Sequence, residues 1–453
     1  MQSNFFFYLI LICFCTACGS KNPGMSKEEV TGELTEQTTD AGAVPQMVSA
    51  SGSEFIDGYV PPAGIKFQSK IQKDGAVSLN VSSALKNVHA MKVNELGKMR
   101  LHFTGVDAML IEGIACDITP IQNTYLLTTV QGLFLLDNDF KIVKQLFKND
   151  VDCSLKDGYI HLDTREMVIQ PYYDASFNQL RCSYLSKKHK NGNYIITLPL
   201  NEIVAATEPW TPNKITSKLP IGRVFMNASF YNGIEGGFIK SVPFSRHFYT
   251  HGVEGDTLCS FVPEEEEDYT PTGTYRTGET NHTYVYRNKT YVRMAYDNTV
   301  YFLENAYTLK AAYHLDFGVL RRPQGKKVIG SSNLDNDFFI VSWLETDHYL
   351  LIRMSKGYDS PNARKAGSVS LYSLIYDKKT KEFFSLPSVG ANKEPDFPVI
   401  DAGNGQEISC FPKLVAGNTL ISYVNGKWIK ENKPELLESK EVSDNELVLI
   451  SIE

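Results

Sequence analysis

Short apolar or alternating runs, separated by turn residues, fill the chain from Ile65 to its last residue. Tyr125–Val130, Leu133–Leu136 and Lys141–Phe147 are three such runs, with Gln-Gly and Asp-Asn-Asp between them. Alternation with period two is typical of β-strands, and Gly, Asn and Asp tolerate the backbone angles of tight turns. The pattern therefore predicts three consecutive antiparallel strands in this stretch.

Similar groups of short strands recur to the C-terminus. They span residues 159–200, 225–262, 284–317, 338–386 and 397–452. Only Ser83–Leu96 and Lys433–Ser439 predict short helical turns. The chain is therefore expected to be all-β, and repeated groups of about four strands predict a β-propeller of six blades, each with about four antiparallel strands. A stacked array of β-sandwiches is the alternative.

Composition supports strands and excludes several classes of function. Aromatic residues make up 11% of the 453 residues, which favours strands, where aromatic side chains pack well. The formal net charge of −7 offers no electrostatic footprint for nucleic acid. Neither a GxGxxG motif nor a P-loop is present, so no nucleotide cofactor is expected.

The N-terminus predicts export and lipid attachment. Met1–Ala17 contains an uncharged apolar run, and small residues precede Cys18. The run is too short to cross a bilayer, and a Cys after small residues is the pattern of a bacterial lipoprotein signal. We predict a signal peptide at residues 1–17, with Cys18 as the lipidated residue. The alternatives are an ordinary secretory signal cut near Ala17 and a retained membrane anchor.

A polar segment separates the signal from the strand-rich region. Residues 18–64 are rich in Ser, Thr, Gly, Glu and Pro and bury too little apolar surface to fold, so they predict a flexible tether. Residues 65–453 are the predicted β-propeller domain. The expected location is the cell envelope, with the domain lipid-anchored to a membrane, most simply the outer one. No acidic cluster follows Cys18, which favours the periplasmic side.

Five cysteines remain after Cys18, at widely spaced positions, and none forms a CxxC pair. A zinc cluster is therefore not expected. Export permits disulfides, so isolated buried thiols and a single disulfide both stay open. The cysteines concerned are Cys116, Cys153, Cys182, Cys259 and Cys410.

No motif selects a catalytic or metal centre. His247 and His251 lie four residues apart on a predicted strand, about 13 Å along it, which is too far for one metal ion to bridge easily. Glu264–Asp268 is the densest acidic run, but it lacks the alternating ligand spacing of a calcium loop and predicts a solvated loop. No nucleophile motif is present. We expect neither a metal nor a cofactor.

Aromatic density is the one indication of a binding surface. Exposed aromatic residues near amides and charges suit sugar or peptide recognition. Tyr172, Tyr173 and Tyr231 are candidate ligand-binding residues, with packing between blades as the alternative. Arg321 and Arg322 form a loop pair that could meet an anionic group, with a solvated loop as the alternative.

Four stretches resemble a known group of proteins, the six-bladed β-propeller lipoproteins of Bacteroides-type bacteria, which are classed as domains of unknown function. They are Val77–Val81 through Met99–Phe103, Asp297–Tyr301 with Tyr313–Gly318, Leu374–Phe384, and Asp444–Ile450. The resemblance covers nearly all of the folded part. It implies that the last strand, near Leu447–Ile452, shares a blade with strands from Val77–Phe103 and closes the ring. The group carries no established catalytic residues.

The sequence thus predicts a lipid-anchored envelope protein that binds rather than catalyses, presenting its loops to a glycan, a peptide or a partner protein. The alternative is a polysaccharide hydrolase or lyase with its site in the central funnel. Converging carboxylates or histidines with shifted pKa values would favour the enzyme, whereas aromatic residues, amides and isolated charges would favour binding.

Overall fold

A computed structural model describes most of the chain after the predicted tether. The described residues are 68–453 except 92, 108–116, 157–158, 175–177, 187–192, 216–217, 221–224, 232–233, 240–247, 252–256, 262–280, 288, 323–333, 358–359, 388–399, 402–406, 409–410, 433 and 438–439. The predicted signal peptide, Cys18 and the tether lie outside them, as does the acidic run at residues 264–268. Residues 57–453 form one compact unit.

The first described elements attach to sheets formed by later parts of the chain. β1 (Lys70–Gln72) and β2 (Val77–Asn80) both pair in parallel with Thr308–Asp316. The helices α1 (Val81–Ala84) and α2 (Val93–Leu96) follow, and then β3 (Met99–Asp107). These helices confirm the helical turns predicted near Ser83–Leu96.

The middle of the chain folds into successive sheets in which consecutive strands pair antiparallel. Sheet 1 contains β4 (Asp117–Ile121), β5 (Thr124–Thr129), β6 (Gly132–Leu136) and β7 (Ile142–Lys148). Sheet 2 contains β8 (Asp150–Lys156), β9 (Tyr159–Asp174), β10 (Gln179–Ser186), β11 (Asn193–Pro199) and β12 (Lys218–Pro220). Sheet 3 contains β13 (Phe225–Tyr231), β14 (Ile234–Ile239), β15 (Phe248–His251) and β16 (Thr257–Phe261). Helix α3 (Leu200–Ala205) and a 3₁₀ turn (Pro212–Lys214) follow β11.

The C-terminal half continues the same plan. Sheet 4 contains β17 (His282–Tyr286), β18 (Lys289–Arg293), β19 (Thr299–Asn305) and β20 (Thr308–Asp316), with β1 and β2 at its edge. Sheet 5 contains β21 (Phe338–Glu345), β22 (Tyr349–Lys356), β23 (Ser370–Asp377) and β24 (Phe383–Ser385), with α4 (Pro361–Ala366) after β22. A two-stranded ribbon pairs β25 (Ile400–Asp401) with β26 (Glu407–Ile408).

The last sheet joins the two ends of the folded unit, and we call it the closure sheet. It consists of β27 (Leu414–Ala416), β28 (Thr419–Asn425), β29 (Glu446–Ile452) and β3, in that order. Helix α5 (Gly426–Asn432) and a 3₁₀ turn (Pro434–Leu437) connect β28 to β29. Ile450 pairs with Leu101 and Ile452 with Met99, which confirms closure by an N-terminal strand. The prediction was wrong for the strand Val77–Asn80, which was expected in the same blade as β29 but pairs with β20 of sheet 4.

The fold is all-β, with small antiparallel sheets in a propeller arrangement, as predicted. Six sheets of four or more strands are present among the described residues, but five blades are recognised in the propeller arrangement, not the predicted six. The hydrophobic pattern groups strands into sheets, yet it carries no information on the place of each sheet around the ring. The number of blades was therefore beyond what the strand pattern could establish.

Apolar clusters pack between neighbouring sheets, and most of the strands that contribute to them are rich in Leu, Ile, Val and Phe. Representative buried residues are Leu133 with Leu180 between sheets 1 and 2, Phe261 with Val292 between sheets 3 and 4, Leu315 with Ile352 between sheets 4 and 5, Leu351 with Ile450 between sheet 5 and the closure sheet, and Leu127 with Leu449 between the closure sheet and sheet 1. Each sheet is thus covered by apolar side chains of its neighbour rather than by a central core.

One tight turn shows how the local sequence sets the strand register. Gly132 has a φ of 139°, and a Cβ atom there would collide with the backbone carbonyl of Phe147. Only glycine fits where β6 and β7 approach so closely.

Of the cysteines after Cys18, Cys182 and Cys259 are buried free thiols, and the side chains of the other three lie outside the described residues. Among the described residues, no helix has the length and apolar character that a bilayer span requires.

Candidate functional site

Three hairpin turns from successive sheets meet at Asp347. Asp347 lies in the turn between β21 and β22, and its Oδ1 accepts hydrogen bonds from Arg287 Nε at 2.6 Å and from the Tyr286 hydroxyl at 3.0 Å. Its Oδ2 accepts from Asn418 Nδ2, in the turn between β27 and β28, at 2.7 Å. Asp347 thereby links sheet 4, sheet 5 and the closure sheet at one end of their strands.

The hydrogen bonds at Asp347 keep its carboxylate ionised. The Asn418 amide, followed by the Arg287 guanidinium, lowers the pKa of Asp347 to about 2. A hydrogen bond to the charged form of a carboxylate favours that form. Asp347 is therefore a fixed negative charge at any physiological pH and cannot serve as a proton donor.

A second carboxylate, Glu345, lies buried two residues earlier at the end of β21. Its Oε1 accepts from the hydroxyl of Tyr313 at 2.5 Å and from Lys378 Nζ at 2.6 Å, and its Oε2 accepts from the hydroxyl of Tyr284 at 2.6 Å. The Glu345 residue is 3% exposed. A charge in such surroundings persists only when it is paired and hydrogen-bonded, as it is here.

Lys378 connects the two carboxylates. It follows β23, and besides Glu345 its Nζ donates to the Thr346 carbonyl at 2.6 Å and to the Tyr286 hydroxyl at 3.0 Å. The ammonium also lies 4.1 Å from the centroid of the Tyr286 ring. Burial lowers the pKa of Lys378, and the neighbouring Glu345 opposes that shift. All three ammonium hydrogens of Lys378 thus have protein acceptors.

Tyrosines from sheet 4 complete the network. Tyr284 and Tyr291 stack with ring centroids 5.1 Å apart, and Trp343 Nε1 donates to the Tyr284 hydroxyl at 2.9 Å. Burial is the main cause that raises the pKa of Tyr284, Tyr286 and Tyr313, and it raises the pKa of Tyr291 to about 12. These phenols are protonated hydrogen-bond donors at physiological pH.

A depression of about 470 Å³ opens above this network, and we call it the junction depression. It is lined by four basic side chains, three tyrosines and one carboxylate, which are Arg287, Lys289, Lys378, Lys381, Tyr286, Tyr291, Tyr313 and Asp347. Its volume lies within the range of pockets that hold small molecules. Residues from three strands and three turns of sheets 4 and 5 converge here, so the depression is shaped by the packing of sheet 5 against sheet 4.

A half-buried histidine, His282, continues the same face of β17 away from the depression. His282 stacks on Tyr284 with a centroid distance of 5.6 Å, and its buried Nδ1 has no hydrogen-bond partner among the described residues. Burial, with a smaller contribution from the charge of Arg293, lowers the pKa of His282 to about 4. His282 is therefore neutral near pH 7.

The tyrosines that the sequence singled out lie elsewhere, on sheet 2 and sheet 3. Tyr172 is buried on β9 with 7% exposure. Tyr173 is half-buried, and its hydroxyl donates to Asn178 Oδ1 at 3.1 Å and accepts from Gln122 Nε2 at 3.2 Å. The backbone of Tyr231 ends β13, and its side chain lies outside the described residues. Their role in ligand binding stays a prediction.

The arginine pair Arg321 and Arg322 follows sheet 4, and both side chains contact polar groups of neighbouring segments. Arg321 Nε lies 2.9 Å from the nearly buried carboxylate of Asp337. Arg322 donates to Asn298 Oδ1 at 3.0 Å and to the Phe338 carbonyl at 2.7 Å. The structure does not bring this pair together with Tyr172 or Tyr173, so the predicted residues form no single site, and an anion-binding role for the pair stays a prediction.

Sequence reasoning missed the residues of the junction depression, although two signals were present. Tyr284, Tyr286 and Tyr291 lie on a hairpin that also carries Arg287, and Glu345 is the last residue of an apolar strand. A charged residue at the end of an apolar run is a signal for a buried, paired carboxylate. Its partner Lys378 lies 33 residues further on, and no pattern in the sequence links the two.

Two other kinds of site have less support from the structure. A depression of about 730 Å³ beside β1 is lined, in the part of the chain that the structure describes, by Lys70–Gly75 and by Lys310 of β20, so one segment forms most of it. Within the described part of the chain, no group of three His, Cys, Asp or Glu side chains is placed to hold a metal ion.

Comparisons with known proteins agree with this architecture. A protein from Bacteroides fragilis, whose name assigns it to the exported proteins, has a structure that covers 83% of this chain and 99% of its own, with 13% identity and a TM-score of 0.54. A member of the DUF4221 family from Bacteroides vulgatus covers 79% of this chain and 99% of its own, with 10% identity and a TM-score of 0.39. The first likeness supports the propeller fold, and the second carries no argument at that score.

No curated protein matches the chain significantly. The model of one family, described as domain of unknown function DUF4933, matches residues 62–435, which is most of the folded unit. The resemblance to Bacteroides propeller proteins of unknown function is thereby confirmed. The chain belongs to the DUF4933 family.

Proposed function

We propose that this protein is an exported, lipid-anchored binding protein of the bacterial envelope, and that it holds its ligand in the junction depression. The observation that carries the proposal is the pre-formed depression, in which fixed donors converge above a buried, fully paired carboxylate. Binding sites in proteins are concave and largely pre-formed, with a small number of placed polar groups.

The state of the two carboxylates supports binding rather than glycoside cleavage. Hydrolysis of a glycosidic bond needs a carboxylic acid whose pKa is raised enough to donate a proton. Asp347 has its pKa lowered to about 2, and Glu345 is buried beneath three donors. Asp347 lacks the protonation state that the reaction requires, and Glu345 lacks the access.

The tyrosines also give little support to a lyase. A catalytic base in a lyase must lose its proton near the working pH. Burial raises the pKa of Tyr286 and of Tyr291, the latter to about 12, which opposes deprotonation. A polysaccharide hydrolase or lyase is thus the alternative against which binding is tested.

The test is a glycan and peptide array probed with residues 57–453, the compact unit, with mass spectrometry of every bound probe. Binding without a change in the mass of the probe supports the proposal. Cleavage of a bound glycan would establish the enzyme instead. Absence of binding to any probe would remove the function assigned to the depression.

Export and lipid attachment rest on the N-terminal pattern and on the related protein named as exported. We expect the mature chain to begin at an acylated Cys18 and to fractionate with membranes. The Cys18→Ser variant should lose the acyl mass and appear in the soluble fraction, whereas the matched Cys15→Ser variant should be processed as the natural chain is. A mature N-terminus without acyl groups in the natural chain would contradict lipidation.

A further inference from the structure

The hydrogen-bond capacity of the junction depression is strongly one-sided. The acceptors in its wall are already used, because Asp347 accepts from Arg287, Tyr286 and Asn418. The ammonium of Lys378 is used as well, by three protein oxygens. What the wall can still offer to a ligand must therefore come from the remaining donors.

Four donor groups remain available. The Tyr291 hydroxyl, the ammonium groups of Lys289 and Lys381, and the terminal nitrogens of Arg287 all line the depression without a hydrogen-bond acceptor among the described residues. Lys289 makes a cation–π contact with Phe302, at 4.4 Å from the ring centroid. A raised pKa keeps the Tyr291 phenol protonated. A ligand that fits must be rich in acceptors.

The charge of the residues that line the depression also favours a ligand rich in acceptors, in particular an anionic one. The chain as a whole carries a formal charge of −7, but the lining of the depression has four basic side chains and one carboxylate. The buried Glu345 offsets only Lys378. Clefts lined by one sign of charge concentrate ligands of the opposite sign.

The residues that line the depression also favour an acidic sugar over an acidic peptide. Among the described residues that line it there is no aliphatic side chain, so they offer no apolar pocket of the kind that anchors peptide side chains. A sugar acid presents carboxylate and hydroxyl oxygens over a small volume, which suits a donor-rich depression of about 470 Å³.

We propose that the junction depression binds an acidic sugar, with the carboxylate of a uronic acid placed among Arg287, Lys289 and Lys381 and a sugar oxygen accepting from Tyr291. This inference rests on the proposed binding function and names its ligand class. Charge-assisted hydrogen bonds from Arg or Lys to a carboxylate are about twice as strong as neutral ones, so the basic residues should dominate the affinity.

The experiment titrates residues 57–453 calorimetrically with oligogalacturonides, malto-oligosaccharides and poly-glutamate. The variants Lys289→Gln and Lys381→Gln remove exposed charges and should leave the melting temperature unchanged. Each should weaken oligogalacturonide binding about tenfold, the loss expected when one charged hydrogen bond is removed. Lys214→Gln, an exposed lysine in the 3₁₀ turn after β11, is the matched control and should bind as the natural chain does.

The outcomes separate this inference from the proposed function. Oligogalacturonide binding that depends on both lysines and weakens at high salt supports the inference. Equal binding of malto-oligosaccharides, unaffected by either lysine variant, overturns the acidic ligand and leaves a binding protein. Preferential binding of poly-glutamate with the same lysine dependence overturns the sugar. Failure to bind any probe here or on the array removes the proposed function as well, whereas lysine-dependent cleavage of oligogalacturonide removes only the non-enzymatic role.

Discussion

The closure sheet and the turn end of the contact between sheets 4 and 5 are stabilised by different interactions. In the closure sheet, the residues of β29 from Leu447 to Ile450 are fully buried among apolar neighbours. At the end of sheets 4 and 5, the buried centre is Glu345 with its tyrosine and lysine donors. Apolar burial is non-directional, whereas a buried charge stabilises only with each donor in place.

That difference separates the apolar closure sheet from the polar network beneath the junction depression. An apolar contact tolerates side chains of similar volume, so a closure strand is specified mainly by its hydrophobic pattern. A buried polar network requires particular residues at particular positions and in return holds the donors around the junction depression in fixed directions. The contrast can be tested by removing one component from each region.

The largest effect is expected from removal of Asp444–Glu453. Since β29 lies between β28 and β3, the deletion takes out the strand that joins the two chain ends and exposes two sheet edges. We expect loss of the cooperative unfolding transition in urea, followed by circular dichroism. The full-length control with Asp444→Asn and Glu453→Gln keeps the strand and should unfold cooperatively. A deleted chain with unchanged stability would contradict closure by β29.

The second effect concerns Glu345→Gln, which leaves the half-buried ammonium of Lys378 without its charge partner. Breaking a buried pair by removing one partner costs about 3–5 kcal/mol, and partial exposure of Lys378 places this site toward the lower end. Urea denaturation measures the change. Addition of Lys378→Met should recover part of the loss, because no unpaired charge then remains.

The matched control for that substitution is Glu382→Gln, at an exposed carboxylate beside His89. Surface ion pairs contribute about 0–1 kcal/mol, so the control should unfold almost as the natural chain does. Equal effects of the two substitutions would mean that the polar network at Glu345 has no special structural role.

The same contrast explains how far the sequence predicts the molecule. The strands β5, β6 and β7 of sheet 1 follow from alternation and apolar runs, because these strands are buried by non-specific contacts. The pairing of β29 with β3 was implied by the resemblance to a propeller family. The number of blades does not follow, because placement around the ring leaves no trace in the period of a strand. The resemblance to a propeller family nevertheless indicated the correct architecture.

The junction depression was beyond sequence reasoning for a physical reason. Its partners are brought together from distant turns, as Asn418 and Asp347 are across 71 residues, and each is an ordinary turn residue by itself. Tyr172 was proposed as an exposed aromatic, but its strand position is buried. Exposure depends on the neighbouring sheet, which the pattern of a single strand does not specify.

A smaller change in the free energy of unfolding is expected from His282 as the pH is lowered. Its pKa is about 4 in the folded chain against 6.5 for an unperturbed histidine, mainly because of burial. The unfolded chain therefore takes up a proton first, and stability falls as pH decreases from about 6.5 to 4, by at most about 3 kcal/mol. The His282→Gln variant should lose this part of the slope in urea titrations at several pH values.

The control is His314→Gln, at an exposed position of β20, which should leave the free energy of unfolding at neutral pH almost unchanged. The buried His102 of β3, whose pKa is also lowered by burial, should preserve part of the slope in the His282→Gln variant. A slope unaffected by His282→Gln would contradict this prediction, because it would mean that His282 has the same pKa in the folded chain as in the unfolded chain.

The smallest change in stability, and the sharpest test of the depression, is expected from Asp347→Asn. The folded pKa of Asp347, about 2, lies below its ordinary value of 3.8, so its contribution is complete above about pH 4 and is lost as pH falls toward 2. Its side chain is 33% exposed, so solvent screening limits that contribution to below about 1 kcal/mol at neutral pH. The difference in unfolding free energy between variant and natural chain should shrink over the same interval.

The effect of Asp347→Asn on ligand binding should have the opposite sign to its effect on stability. The substitution removes the carboxylate that the described lining contains and frees Arg287, so a uronate should bind a few-fold more tightly although the fold is slightly less stable. Calorimetric titration with oligogalacturonides measures the affinity, and urea denaturation of the same sample measures the stability. Weaker binding would mean that Asp347 holds Arg287 in the direction that the ligand needs, so that position rather than net charge limits the affinity.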